Sequence, residues 1–150
     1  MNKISMDLET IYPIIEEVLG TGGEFRLYPR GTSMLPMIRQ GEDSVVLCSL
    51  GDVSVNDVVL YKRDDGSFVL HRVVKIKGDE YIMCGDNQFE LEYGITRSHL
   101  LANLSCFYRG DTKVTLDSPD YKKYLKTLPR VRRRRKIRST LSKIKHKIFK

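Results

Sequence analysis

The stretch Asp57-Val58-Val59-Leu60-Tyr61-Lys62-Arg63-Asp64-Asp65-Gly66-Ser67-Phe68-Val69-Leu70-His71-Arg72-Val73-Val74 decides the fold. Two runs rich in β-branched and aromatic residues flank Asp64-Asp65-Gly66, where the acids and the glycine supply turn chemistry, so the stretch reads as a β-hairpin. Outward from it the same pattern repeats. Phe25-Arg26-Leu27-Tyr28 alternates, and Ser44-Val45-Val46-Leu47 is another β-branched run. Lys77-Gly78-Asp79 turns into Tyr81-Ile82-Met83, Leu101 to Tyr108 reads as a further strand, and Lys113-Val114-Thr115-Leu116 as another. Six or seven short strands at this spacing predict a mostly β domain of coiled, antiparallel sheets over residues 24–117.

Helical patterns flank that domain. Within residues 1–23, Leu8, Ile11, Ile14, Ile15, Val18 and Leu19 recur at helical spacing, with Pro13 inside and Gly20 to Gly23 ending the run. Within 118–129, Ser118-Pro119-Asp120 starts a second helix that sets Tyr121, Tyr124, Leu125 and Leu128 on one face until Pro129. Residues 130–150 form a basic tail.

A chain of 150 residues, 41% hydrophobic, suits one globular domain with a real core. Three cysteines (Cys48, Cys84, Cys106), with no Cys-x-x-Cys pair, argue against a disulfide framework and a zinc site, and suit a reducing compartment. No aliphatic or aromatic run exceeds four residues, whereas a membrane-spanning helix needs roughly 20. The first residues lead into an acid-bearing segment rather than a secretory signal. A cytoplasmic protein without a transmembrane segment is expected.

The net charge of +7 is unevenly distributed. Arg130 to Lys150 holds eleven Lys and Arg and no acid, which leaves fifteen basic against nineteen acidic residues before it, a net of −4. The β domain and the tail therefore call for separate explanations.

Three segments carry candidate chemistry. In Arg30-Gly31-Thr32-Ser33-Met34-Leu35-Pro36, a serine on a constrained loop can present its hydroxyl while nearby backbone N–H groups receive an oxyanion. His71 is the one histidine set in a strongly apolar strand, and a neutral imidazole there can take the serine proton. Cys84-Gly85-Asp86-Asn87-Gln88-Phe89-Glu90-Leu91-Glu92 reads as a turn in which Asp86 caps backbone amides or orients His71.

In this order, the Ser-Met-x-Pro box, the Asp-Val-Val strand, the His-Arg-Val-Val strand and the Gly-Asp-Asn box resemble the type I signal peptidases and their LexA-like relatives. The similarity covers about residues 26 to 110 and lies with the histidine-using branch found in endoplasmic reticulum, archaea and some spore formers. It implies the coiled antiparallel fold of that superfamily, with Ser33 as nucleophile, His71 as general base, and no metal or organic cofactor. It implies two acids, matched by Asp86 and by Glu92, the latter a longer carboxylate where the family has aspartate; either is a candidate to orient His71. Gly31 stands where signal peptidases carry a serine, as in the LexA-like pattern, so the Ser33 N–H and the Thr32 hydroxyl are the expected oxyanion donors. Met34 and Pro36 are expected along the substrate cleft.

The resemblance implies a serine endopeptidase acting on a peptide or preprotein. Where the family has its usual hydrophobic anchor this chain has only the acidic amphipathic segment Asp7 to Leu19, and the basic tail is expected to replace the anchor in part. The alternatives are a cytoplasmic protease that matures leader-bearing peptides, a LexA-like self-cleaving protein, and an inactive peptide-binding module of the same fold. On a helix, Ile137, Leu141, Ile144 and Ile148 fall on one side of the tail, flanked by cations and preceded by Arg132-Arg133-Arg134-Arg135-Lys136. Such a segment suits peripheral attachment to an anionic membrane surface, where each cation adds about 1 kcal/mol. A nucleic-acid or protein partner is the less favoured reading.

Overall fold

The computed structural model describes residues 7–148. Helix α1 (Leu8–Gly20) leads into strands β1 (Phe25–Leu27), β2 (Ser44–Ser49), β3 (Val58–Lys62), β4 (Phe68–Lys77), β5 (Glu80–Cys84), β6 (Glu92–Thr96), β7 (Leu100–Arg109) and β8 (Thr112–Thr115), and helix α2 (Pro119–Ile148) follows. The strands form one sheet in the order β1-β2-β7-β3-β4-β5-β6, with β8 on β7. Every pairing is antiparallel. The mostly β class with a short helix first and a helix last is thus present. Among the described residues no helix is long and apolar enough to cross a membrane.

The β3–β4 hairpin forms in the register its turn demands, Lys62 opposite Phe68 and Val59 opposite His71. Asp65 closes the turn by accepting hydrogen bonds from the Ser67 N–H and hydroxyl. Side chains alternate across a strand, and here both faces are covered. Val58 and Leu60 enter a large core with Ile15 and Leu19 of α1, Met34, Met37 and Tyr121. Val59 and Tyr61 enter a second core with Val73, Met83, Ile95 and Leu100. That two-sided burial is why the run reads as continuously apolar.

Two elements differ from the sequence reading. Strand β6 is absent from it, because Glu92-Tyr93-Gly94-Ile95-Thr96 is polar, contains a glycine and pairs only with β5 at the sheet edge. Helix α2 does not stop at Pro129 but runs on to Ile148. A proline removes one intrahelical hydrogen bond, and tertiary contacts lie on both sides of it: Leu128 is buried, and Arg135 Nη1 donates to the Asp86 carbonyl at 2.6 Å.

Candidate active site

The Ser33 loop leaves β1 and is fixed at several points. Gly31 has φ +89°, a conformation L side chains rarely adopt, which accounts for glycine at this position. Its N–H donates to Gln40 Oε1 at 3.0 Å. Beyond the serine, Arg109 Nη1 donates to the carbonyls of Pro36 and Met37. Buried Asp43 accepts from the Arg39 N–H, the Arg39 guanidinium and the Gly110 N–H at 2.8–2.9 Å. Burial pushes the Asp43 carboxyl up, but those hydrogen bonds outweigh it and hold the pKa at about 2.

The Gly85–Asn87 turn grips the serine itself. Asn87 N–H donates to the Ser33 carbonyl at 2.8 Å, and Asn87 Nδ2 donates to the Thr32 carbonyl at 3.1 Å. A Cβ on Gly85 would lie 2.6 Å from the Ser33 carbonyl oxygen, so only glycine permits this approach. Gly31, Ser33 and Met34 line a cavity of about 610 Å³ with α1, all of β1, and Phe68 and Leu70 of β4. Thr32 and Pro36 contribute backbone carbonyls to the loop's hydrogen bonds and do not line it.

His71 lies on the opposite face of β4 from Leu70 and Arg72. It lines a second cavity, about 440 Å³, with Arg63, Met83, Asn87, Gln88 and Glu92. His71 is 6% exposed. Burial pulls its pKa down and the Arg63 charge adds to that, against Glu92 and Asp86, to about 4. The imidazole is therefore neutral at pH 7. Its Nδ1 lies 3.2 Å from the Tyr61 hydroxyl, which donates to Glu92 Oε1 at 2.6 Å. Arg63 forks onto the same carboxylate, Nε to Oε2 at 2.7 Å and Nη2 to Oε1 at 3.0 Å. Burial alone would raise Glu92; the bonds from Arg63 and Tyr61 overcome it and lower its pKa.

Asp86 is engaged elsewhere. It forms a bidentate pair with Arg72 at 2.8 Å for both bonds, and the two side chains are 0% and 1% exposed. Tyr124 of α2 donates to Asp86 Oδ2 at 2.7 Å, while Arg72 also reaches the Asn56 carbonyl and the Tyr121 hydroxyl. Of the two candidate acids, Glu92 is the one on the side of His71, and Asp86 ties the sheet to α2.

Ser33 and His71 line separate cavities, and the Gly85–Asn87 turn links them: it bonds to the serine loop and contributes Asn87 to the wall of the histidine cavity. Among the described residues no hydrogen bond joins the two side chains directly. In the basic segment, Arg133, Arg134 and Lys136 are exposed, whereas Arg135 turns inward to the Asp86 carbonyl and Arg132 has a buried Nε beside Cys84. Ile137, Leu141, Ile144 and Ile148 are 48–68% exposed.

Sequence reasoning missed Tyr61, Arg63 and Arg72. A signal for Tyr61 existed: with the hairpin register fixed, it lies on the His71 face, diagonal to it across β3 and β4. No family model matches the chain, and neither the curated proteins nor the solved structures contain a significant match.

Proposed function

We propose that the chain is a serine endopeptidase of the signal-peptidase/LexA type, with Ser33 as nucleophile, His71 as general base and Glu92 as the acid on the histidine side. The observation that carries this reading is His71: a buried, neutral imidazole on a cavity wall, backed by an ionised carboxylate, beside the turn that clamps the serine loop. Ser33 Oγ bonds to the substrate carbonyl carbon as its proton passes to His71 Nε2 and the carbonyl electron pair moves to the oxygen. Collapse expels the amine, which takes the proton from Nε2; water then attacks the acyl-enzyme by the same route and frees Ser33. The Ser33 N–H is the proposed oxyanion donor; the Thr32 hydroxyl, expected beside it, lies off the wall of the Ser33 cavity. The side-chain contact between nucleophile and base closes as substrate seats, as catalytic hydrogen bonds in free enzymes commonly do.

The substrate is an extended peptide or preprotein segment. Strand β1 pairs with β2 alone, leaving one edge without a neighbour among the described strands, and Phe25, Arg26 and Leu27 line the cavity that holds Ser33. Strand addition at that edge would lay a scissile bond along the loop. Cleavage of an extended-peptide library tests the reading: the chain should cut, and Ser33→Ala and His71→Ala should not. Cleavage that persists in either variant refutes it.

The second reading is a peptide-binding module of the same fold, favoured by the separate cavities of Ser33 and His71. Binding of library peptides with equal affinity by the chain and Ser33→Ala, without cleavage, would identify it. In either case α2 is proposed to rest on an anionic membrane surface through its exposed isoleucine and leucine stripe and flanking cations, in the cytoplasm.

A further inference from the structure

The Tyr61 hydroxyl has one proton and two partners. Glu92 Oε1 lies 2.6 Å from it and His71 Nδ1 lies 3.2 Å from it. Two oxygens 2.6 Å apart need a proton between them. The guanidinium of Arg63, forked onto both Glu92 oxygens, keeps that carboxylate ionised, so the proton is the tyrosine's. The Tyr61 oxygen is then left with lone pairs toward His71, and the contact at Nδ1 is satisfied only if the imidazole carries its proton there.

We infer that Tyr61 is a positioning residue: its hydroxyl, held by Glu92 and Arg63, accepts the His71 Nδ1–H, fixes that tautomer and leaves Nε2 as the basic nitrogen. The inference rests on the peptidase reading for its catalytic consequence and on geometry alone for the tautomer. Glu92 does not touch the ring; it acts through the tyrosine. Every side chain in the row comes from a different place on two hairpins, β3 giving Tyr61, its turn Arg63, β4 His71 and β6 Glu92. Tyr61 is 0% exposed, so packing fixes its hydroxyl between the two partners. When His71 gains the serine proton at Nε2, its new charge is met by an oriented hydroxyl dipole and, one hydrogen bond further, by the carboxylate. The tyrosine proton stays on tyrosine throughout.

This arrangement predicts a spectroscopic signature independent of activity. Long-range ¹H–¹⁵N correlation spectra of the ¹⁵N-labelled full chain at pH 7 read the His71 tautomer, with His71→Gln identifying its signals. The expected result is a protonated Nδ1 and a bare Nε2. Tyr61→Phe removes one oxygen, leaves the Arg63–Glu92 fork, and should release the ring to the Nε2–H form. On any peptide the chain cleaves, the same variant should lose about 10²-fold or more in kcat with little change in KM. A wild-type ring protonated on Nε2, or a tautomer unmoved in Tyr61→Phe, overturns the inference. An Nδ1–H tautomer in a chain that cleaves nothing upholds the inference and overturns the peptidase reading. Full kcat in Tyr61→Phe overturns the positioning role and leaves the peptidase reading standing.

Discussion

His71 and Arg72 are neighbours on β4 with side chains on opposite faces; Arg72 binds Asp86 directly, and Tyr61 stands between His71 and Glu92. Arg72 holds Asp86 in a pair that is all but inaccessible to solvent. Removing one member of a buried pair strands the other, at a cost of about 3–5 kcal/mol. Asp86→Ala should therefore lower the unfolding free energy by roughly that amount in urea titrations. Its His71 tautomer should remain that of the wild type, because Asp86 does not contact the ring. A variant as stable as the wild type would contradict the structural role of Asp86. His71 gives a pH dependence of definite sign. Its folded pKa, about 4, lies below the ordinary 6.5. The unfolded chain thus binds more protons between those values, and stability falls as pH drops from 6.5 to 4. The loss is on the order of 3 kcal/mol, complete below the folded value. His71→Gln should remove that part of the slope in unfolding curves measured from pH 7 to pH 4; an unchanged slope contradicts it. The proposed peptidase activity should persist down to about pH 5 and fall as pH passes through about 4.

At the scale of elements, the β3–β4 hairpin was legible because its turn residues, its register and its apolar runs agree. Strand β6 was not, since an edge strand with Gly94 inside and Tyr93 exposed lacks both a buried face and a periodic pattern. The Ser33 and His71 boxes could be found as short motifs. The allocation of the acids could not, because it depends on which face of β4 each partner meets, and Arg63 lies in the turn where only chain reversal brings it onto Glu92. Helix α2 shows the same limit: a proline is a local signal, while the contacts that carry the helix past Pro129 are tertiary. Beyond Arg135 the helix presents its apolar stripe outward. Leu141→Asp with Ile144→Asp should abolish co-sedimentation of the full chain with vesicles rich in anionic lipid, and added salt should weaken the wild-type interaction. Binding by the double variant equal to that of the wild type would contradict membrane attachment through this face.

For the whole molecule, the sheet, the Ser33 loop and α2 converge on one short turn. Gly85 lets the serine loop approach, Asp86 receives Arg72, Tyr124 and Arg135, and Asn87 bonds the Ser33 loop while facing the His71 cavity. The mildly acidic β domain and the strongly basic end of the chain are thus joined at the turn that bonds the Ser33 loop and borders the His71 cavity. The central claim is that Ser33 is the nucleophile and His71 activates it. A fluorophosphonate probe incubated with the full chain, followed by peptide mapping, addresses it most directly, with Ser33→Ala and His71→Ala treated alongside. The account predicts a covalent adduct on Ser33 that is absent from Ser33→Ala and strongly reduced in His71→Ala. An adduct that forms on another residue, or that forms on Ser33 equally well without His71, would contradict it.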